Sequence, residues 1–496
     1  MFSKSDYTRG LQCPKMLWMR KHMPEAADES VCNSAVIEQG HEVGNLAKGY
    51  FGPYIEVEND FDFAAMAKRT RALVAAAQAE AATAAKPKTI CEATFITDDN
   101  LLCMADLITV NSDGSLSMIE VKSSTKVKPY HLDDAAFQAH IIEECGFTLS
   151  NVSIMHVDSG YVRNGELNLK SFMKLEDVSD EVDGRIAGIA EEVSSLRKAE
   201  ISKTEPDTTI GKHCNSPHPC PFQGWCWRNM PEKSVFDLAG VGRTRGWAWW
   251  EKGIRTYEQA AAAMKPNGLR EAQASQSSLA RPELLRDFLA TLSWPLYHLD
   301  FETFQTAVPK WDGCKPYQQI TSQFSLHVQQ GPGATPEHFE FLAEEGRDPR
   351  RSVAEALVAA IPADACTLAY NMSFERGRIK ELAEAFPDLS GHLMAIRDGM
   401  RDLMVPFQKG WLYRPEMGSS YSIKAVLPAF FPDDPELDYH ALDGVHNGSE
   451  ASAAFLALEG MAPEERARTR ESLLRYCELD TYAMVKVLDA VLDAAA

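Results

Sequence analysis

Two acidic side chains, Asp300 and Glu302, stand two residues apart in the otherwise apolar, aromatic run "LYHLDFETF". Residues i and i+2 of a strand share a face, so both carboxylates would leave the sheet on one side. Buried side by side they would repel, a cost the fold must offset. Two further segments carry acids at suggestive places. "LAYNMSFERGRIKEL" follows a strand-like run and opens a helix, presenting Asn371 and Glu375. "LLRYCELDTYAMVKVL" reads as a helix with Tyr476 and Asp480 four apart, hence on one face.

A second constellation lies around the turn "NSDGS", between "LLCMADLITV" and "SLSMIEVKSS". With the hairpin centred on Asp113, Asp106 and Glu120 are each seven residues away and face one another across the ladder. Cross-strand neighbours lie about 5 Å apart, and Lys122 shares the face of Glu120. A divalent cation with oxygen ligands would relieve the repulsion between the carboxylates. Lys122 would then orient a water or offset charge on a pentavalent phosphate. The competing reading is a surface strand with Glu120 and Lys122 solvated.

"KHCNSPHPCPFQGWCW" holds Cys214, Cys220 and Cys226 at even gaps of five residues. Zinc knuckles usually have closer pairs. A metal would need a fourth ligand, for which the candidate is Cys13 in "LQCPKMLW", which shares a Cys-Pro pair and a nearby Trp; the competing reading is a set of buried, inert cysteines. The remaining cysteines, Cys32, Cys91, Cys103, Cys145, Cys314, Cys366 and Cys477, sit singly and read as packing residues.

The elements that must position these groups follow from periodicity. "FAAMAKRTRALVAAAQAEAATAAK" predicts a helix; "TICEATFI", "LLCMADLITV" and "SLSMIEVKSS" predict strands. "LYHLDFETF", "QITSQFSLHV", "HFEFLA" and "CTLAYN" predict strands of a second α/β unit, followed by helices. A chain of 496 residues is too long for one core. Three regions emerge: residues 1–230, ending in the cysteines; a helical connector, 231–290, whose glycines weakly suggest a helix-hairpin-helix; and residues 291–496. No apolar run spans a bilayer, and "MFSKSDYTRGLQCPKMLW" lacks a signal-peptide core. A cytoplasmic, reducing location is therefore expected, with no membrane partner. The net charge of -21 argues against coating nucleic acid by bulk attraction. It leaves room for a local basic groove, because screening confines fields to roughly 10 Å.

"MADLITV…MIEVKSS" resembles the Asp, Glu-x-Lys core of PD-(D/E)XK nucleases, specifically the RecB-like branch. "IEQGHEVGNLA" resembles that branch's upstream helix, which implies His41 as a metal ligand, and "AAFQAHIIEE" resembles its glutamine helix, which implies Gln138 at the site. The tyrosine that often follows the glutamine by four is replaced by Ile142. A distant N-terminal cysteine plus three C-terminal ones resembles the iron–sulfur staple of AddB-type and CRISPR-associated RecB-like exonucleases. This implies a 4Fe-4S cluster on Cys13, Cys214, Cys220 and Cys226, with zinc as the competitor.

The C-terminal half resembles the DEDD exonucleases of the RNase H-like superfamily, with Glu375 where an aspartate is usual. This implies two divalent ions held by Asp300, Glu302, Glu375 and Asp480, with Tyr476 positioning the attacking water. Asp402 and Lys424 read first as surface residues, and His446 with Glu450 as a secondary, histidine-type third motif.

Together these resemble a bacterial family joining a four-cysteine RecB-like nuclease to an RNase H-like exonuclease. The expected fold is mixed α/β: a restriction-endonuclease-like α/β/α core, then an RNase H-like mixed sheet flanked by helices. The expected activity is Mg²⁺- or Mn²⁺-dependent hydrolysis of nucleic acid at two sites, the second acting from 3′ ends. Single-stranded or end-containing DNA is the implied substrate. The alternative is a nucleic-acid-binding scaffold with one or both sites inactive, which Glu375 and Ile142 favour.

Overall fold

In the computed structural model, which describes residues 1–31, 34–81, 88–265 and 267–496, the hairpin around Asp113 has the register its sequence requires. Its pairs run from Val110↔Leu116 to Leu107↔Ile119. Gly114, at φ +83°, takes the left-handed position of the turn, and Asp113 accepts a hydrogen bond from the Ser115 amide at 3.0 Å. The chain forms two α/β units, Met1–Asn229 with Thr306–Tyr317, and Met230–Gln305 with Gln318–Ala496.

Seven strands of the first unit form one mixed sheet: β1 (Phe2–Ser3), β2 (Tyr54–Glu56), β3 (Lys88–Ile96), β4 (Leu101–Val110), β5 (Leu116–Lys122), β6 (Leu149–Val157) and β7 (Met173–Asp177). The order is β2-β3-β4-β5-β6-β7, with β1 added parallel to β4 through Phe2↔Leu101 and Ser3↔Leu102. Parallel strands need a crossover. The helix Pro129–Glu144 supplies it between β5 and β6.

That helix buries Phe137, Ile141 and Ile142 in a core shared with Val182, Ile189 and Val193 of the helix Ser179–Glu200. Each such side chain contributes about 1.5–3 kcal/mol when fully buried. The alanine-rich helix runs Phe63–Ala81; the rest of its expected span, 82–86, lies outside the described residues.

At the N-terminus, Ser3 and Asp6 form a capping box that starts the helix Lys4–Gln12. Gly10 lets this helix approach Leu196, since a Cβ there would sit 2.7 Å from a Leu196 methyl.

The second unit contains β8 (Leu279–Ala280), β9 (Leu296–Phe304), β10 (Ile320–Gln329), β11 (Glu337–Leu342), β12 (Cys366–Ala369), β13 (Met400–Asp402) and β14 (Leu412–Tyr413). Five of them form a sheet in the order β11-β10-β9-β12-β13, and β8 pairs with β14. β9 is antiparallel to β10 and parallel to β12. The helix Pro463–Ala495, 33 residues long, covers this sheet. Its apolar stripe includes Leu479, Ala483, Val487 and Val491.

Two boundaries differ from expectation. The connector 231–290 clusters with the second unit. It contains the helices Gly242–Glu251, Tyr257–Ala262, Gly268–Ala274 and Pro282–Leu289, with a small core of Val235, Leu238, Val241, Tyr257 and Ala260. The excursion Thr306–Tyr317, between β9 and β10, packs within the first unit. There Ala307 and Val308 join Val43 and Phe172 in one apolar cluster. The Gly165 amide donates to Asp312 at 2.7 Å, and Arg163 donates to the Pro309 carbonyl at 2.8 Å. Strand patterning cannot foretell which core a polar, Pro-containing loop will join.

Among the described residues no helix is long and apolar enough to cross a membrane.

Candidate functional site

Both acidic constellations assemble, each inside one unit. In the first, Asp106 follows the last hairpin pair, and its carboxylate accepts from the Val121 amide at 2.6 Å. Glu120 is only 2% exposed. Lys4 and Lys122 donate to its Oε1 at 2.9 and 2.7 Å, and Gln138 donates to its Oε2 at 2.7 Å. Asp134, four residues before Gln138 on the same helix, accepts from Lys122 at 2.5 Å and from Gln138 at 3.1 Å, and lies 3.4 Å from Lys4.

The electrostatics divide these carboxylates. Burial pushes Asp106 up to about 7, and the Glu120 charge adds to that. Burial would raise Glu120 too, but the Lys122 and Lys4 ammoniums overcome it and hold Glu120 well below the carboxylate range. The carboxylates in turn keep both lysines charged despite their burial.

Asp106, Glu120, Lys122 and Gln138 therefore meet as expected. His41 sits exposed on the helix Ser34–Lys48 and forms no close ligand group with these carboxylates among the described residues. Ile142 faces the core. The sequence reading missed Lys4 and Asp134. Asp134 was findable as an i−4 neighbour of Gln138. Lys4 gave no local signal, because it reaches Glu120 only through the pairing of β1 with β4.

In the second unit Asp300, Glu302 and Asp480 each offer an oxygen within 4.8 Å of the others. β9 places Asp300 and Glu302 on one face, as their spacing predicts. Asn371, at φ +70°, makes the tight reversal after β12, its amide held by Asp402 at 3.0 Å. That turn starts the helix Ser373–Ala385 and brings in Glu375, which is 3% exposed. Its Oε2 is buried without a hydrogen-bond partner.

Burial raises all four carboxyls, reinforced for Asp300 and Glu302 by the Asp480 charge and for Glu375 by Asp402. Glu302 and Glu375 move to about 8 and Asp480 to about 6.

Tyr476 lies beside Asp480 on the long helix, and Tyr439 donates to Asp480 at 2.5 Å. Lys424 donates to the Tyr476 hydroxyl at 3.2 Å and to the His446 carbonyl at 3.1 Å. Lys424 is thus a member of the site, not a bystander, although its stem is exposed. Asp402 is a structural acceptor that also caps the Met404 amide at 3.0 Å. The His446 imidazole pairs with Glu450 at 3.1 Å and is exposed. Tyr439 had no sequence signal; the short 3-10 turn Tyr439–Ala441 delivers it.

Cys13, Cys214, Cys220 and Cys226 line one small cavity with Met16, Met19 and Phe222. Burial raises the thiols of Cys13, Cys220 (to about 11) and Cys226. Among the described residues no three of these sulfurs lie within 4.8 Å of one another. A single tetrahedral zinc needs sulfurs about 3.8 Å apart, given Zn–S bonds of about 2.3 Å. Cys91, Cys103, Cys314, Cys366 and Cys477 are buried and Cys145 is half-buried, as packing residues would be. Cys32 lies outside the described residues.

Comparison with known proteins places residues 297–422 in a match to the family described as a domain of unknown function, DUF2779. The match takes in Asp300, Glu302 and Glu375 and ends before Lys424, Tyr476 and Asp480. The chain is also similar to "Uncharacterized protein MG366 homolog" of Mycoplasma pneumoniae, with 28% identity over 207 residues, 38% of this chain and 31% of that protein. A second relative, "Uncharacterized protein UU173" of Ureaplasma parvum, is 28% identical over 219 residues, 40% of this chain and 32% of its own length. The matched part of the chain thus spans about a third of the length of these relatives.

Proposed function

We propose that this protein is a metal-dependent nuclease with two active sites, a RecB-like PD-(D/E)XK site in the first unit and an RNase H-like DEDD exonuclease site in the second. The observation that carries the reading is the group of carboxylates around Asp300, in which Asp300 and Glu302 are half-buried and Asp480 and Glu375 buried. Three of its acids converge within 4.8 Å, and a fourth, Glu375, has an orphaned buried oxygen. Like charges gathered at partly desolvated positions suit a divalent cation.

Asp300, Glu302, Glu375 and Asp480 would hold Mg²⁺ or Mn²⁺, which supplies Lewis-acid stabilisation of the attacking and leaving oxygens when bound. The chain's own residues do the positioning. Tyr439 fixes one Asp480 oxygen, and Tyr476 also hydrogen-bonds to this carboxylate. Lys424 keeps the Tyr476 hydroxyl oriented, so that Tyr476 aligns a water against the scissile phosphate. In the first unit Asp106 and Glu120 would hold the cation, and Lys122 would balance charge on the phosphate.

For the four thiols, their common cavity supports a shared metal centre, which the family resemblance makes a 4Fe-4S cluster with zinc as the competitor. The substrate follows by analogy: DNA, single-stranded or at ends. A reducing, cytoplasmic location goes with this reading, in which the cysteines serve as metal ligands and packing residues.

A second reading has its own support. Lys4 places an ammonium on Glu120 at 2.9 Å, where a nuclease would bind its cation. This favours a scaffold in which the first site binds nucleic acid without cutting. Labelled single-stranded DNA incubated with full-length protein and Mn²⁺ decides between them. Degradation reduced in each of Asp300→Ala and Lys122→Ala, and abolished only in the double variant, supports two working sites; binding without degradation supports the scaffold. Anaerobically purified protein absorbing near about 400 nm supports the cluster, and colourless, zinc-containing protein rejects it.

A further inference from the structure

The sheet of the second unit carries another group of ligand-type side chains, which the proposed phosphodiester chemistry does not use. We propose that His327, His338 and Glu478 form a binding site for one transition-metal dication of the zinc class, tying β10 and β11 to the helix Pro463–Ala495. His327 and His338 are a directly opposed pair on the β10–β11 ladder. Their rings stack at 4.6 Å. The helix adds Glu478, and each of the three residues offers one ligand atom within 4.8 Å of the others.

The hydrogen bonds around the rings fix their protons. Thr481 Oγ1 is 3.1 Å from the Glu478 carbonyl, which can only accept, so the Thr481 hydroxyl donates there. In its 2.7 Å contact with Ser325 the donor must then be Ser325. With both hydroxyl protons committed, His327 Nδ1 at 2.8 Å from Thr481 and His338 Nε2 at 2.9 Å from Ser325 must both be N–H donors. In neutral rings this leaves unprotonated His327 Nε2 and His338 Nδ1, the ring atoms open to an ion. Orientation of both imidazoles through their outer nitrogens is the arrangement that metal-ligating histidines show.

Those lone pairs meet another acceptor. His338 Nδ1 lies 3.5 Å from a Glu478 carboxylate oxygen. Two acceptors at that distance repel unless a cation lies between them. The same distance matches the edge of a tetrahedron with metal–ligand bonds of about 2.1 Å, roughly 3.4 Å. Glu340 stands two residues after His338, opposite Ser325 on the ladder, and interacts electrostatically with both His338 and Glu478. Two imidazoles with carboxylates suit zinc-class ions better than Mg²⁺, which prefers an all-oxygen shell. The competing arrangement is a protonated His338 paired with Glu478, which needs no metal.

The test uses full-length protein stripped of metal, exposed to Zn²⁺, passed through gel filtration and assayed for zinc per chain. Because the four thiols can also take zinc, the reading is the difference between wild type and His338→Ala, and between wild type and Glu478→Gln. Each variant should lose one equivalent. Thr481→Val, which keeps the shape but removes the orienting hydroxyl, should weaken zinc binding about 10- to 100-fold. With Co²⁺, the wild-type-minus-variant spectrum should contain visible ligand-field bands and no sulfur charge-transfer band. Zinc equivalents unchanged in Glu478→Gln, or a Co²⁺ difference spectrum dominated by sulfur, overturn the site. Should His338→Ala fail to fold, Glu478→Gln, whose side chain is exposed, still decides the question.

Discussion

In the first unit Glu120 is enclosed by two ammonium groups, from Lys4 and Lys122. In the second, Asp300, Glu302 and Asp480 face one another, and Lys424 spends its hydrogen bonds on Tyr476 and a carbonyl. One acidic site carries its own countercharge and keeps Glu120 ionised. The other leaves its carboxyls raised by burial and, for Asp300 and Glu302, by the Asp480 charge. Two pockets of similar composition thus differ in what they require from solution. The first carries cations of its own among its acids, whereas the second is the one that the proposed metal binding would relieve.

The largest effect expected from this contrast is on chemistry at the second site. Asp300→Asn should lower divalent-dependent hydrolysis by about 10³-fold, measured as single-turnover release from a 3′-labelled strand. Undiminished release would remove the second site from the reaction.

Next comes the countercharge itself. Lys4→Met leaves the buried Glu120 carboxylate short of one partner and should reduce stability by about 2 kcal/mol, read from urea unfolding. Lys424→Met should change it by less than about 1 kcal/mol. Equal losses from the two substitutions would erase the distinction between the sites.

The raised carboxyls fix the sign of the pH dependence. Glu302 and Glu375 titrate at about 8 when folded and near about 4 when unfolded. Their contribution to metal-free stability is therefore present below about pH 4 and lost as pH rises through about 8. A binding cation must displace those protons. Mn²⁺ affinity should tighten about tenfold per pH unit between pH 6 and 8 where one proton leaves, with the released protons counted by calorimetry in buffers of different ionisation enthalpy. A flat affinity would mean that the carboxyls are already ionised.

The smallest effect concerns Glu375. Glu375→Gln removes the orphaned buried charge, so above pH 8 it should stabilise the metal-free protein by about 1 kcal/mol. At pH 5, where the native carboxyl is already neutral, it should do almost nothing. Paired melting curves at the two pH values make the comparison.

Local pattern made much of this molecule legible. The strand β4 occupies the span its apolar run predicts, and β9 spans the whole of "LYHLDFETF". Counting outward from Asp113 placed Asp106 against Glu120, because a ladder's register propagates from its turn. The i, i+2 rule placed Asp300 beside Glu302, and the i, i+4 rule set Tyr476 beside Asp480. The structure lines one small cavity with Cys13, Cys214, Cys220 and Cys226, the four the sequence grouped by their Cys-Pro pairs and Trp neighbours.

What the sequence alone determined, then, was each element and the face it presents, since strand and helix periodicities are local properties of the chain. Tertiary structure alone decided the company each face keeps. It brought Lys4 to Glu120 by pairing Ser3 with Leu102, and Tyr439 to Asp480 from a short 3-10 turn. It turned His41 outward and set His327 and His338 against Glu478 across more than a hundred residues. Those meetings depend on which surfaces pack to remove apolar area from water. That choice is made by the whole core at once, and no window of sequence contains it.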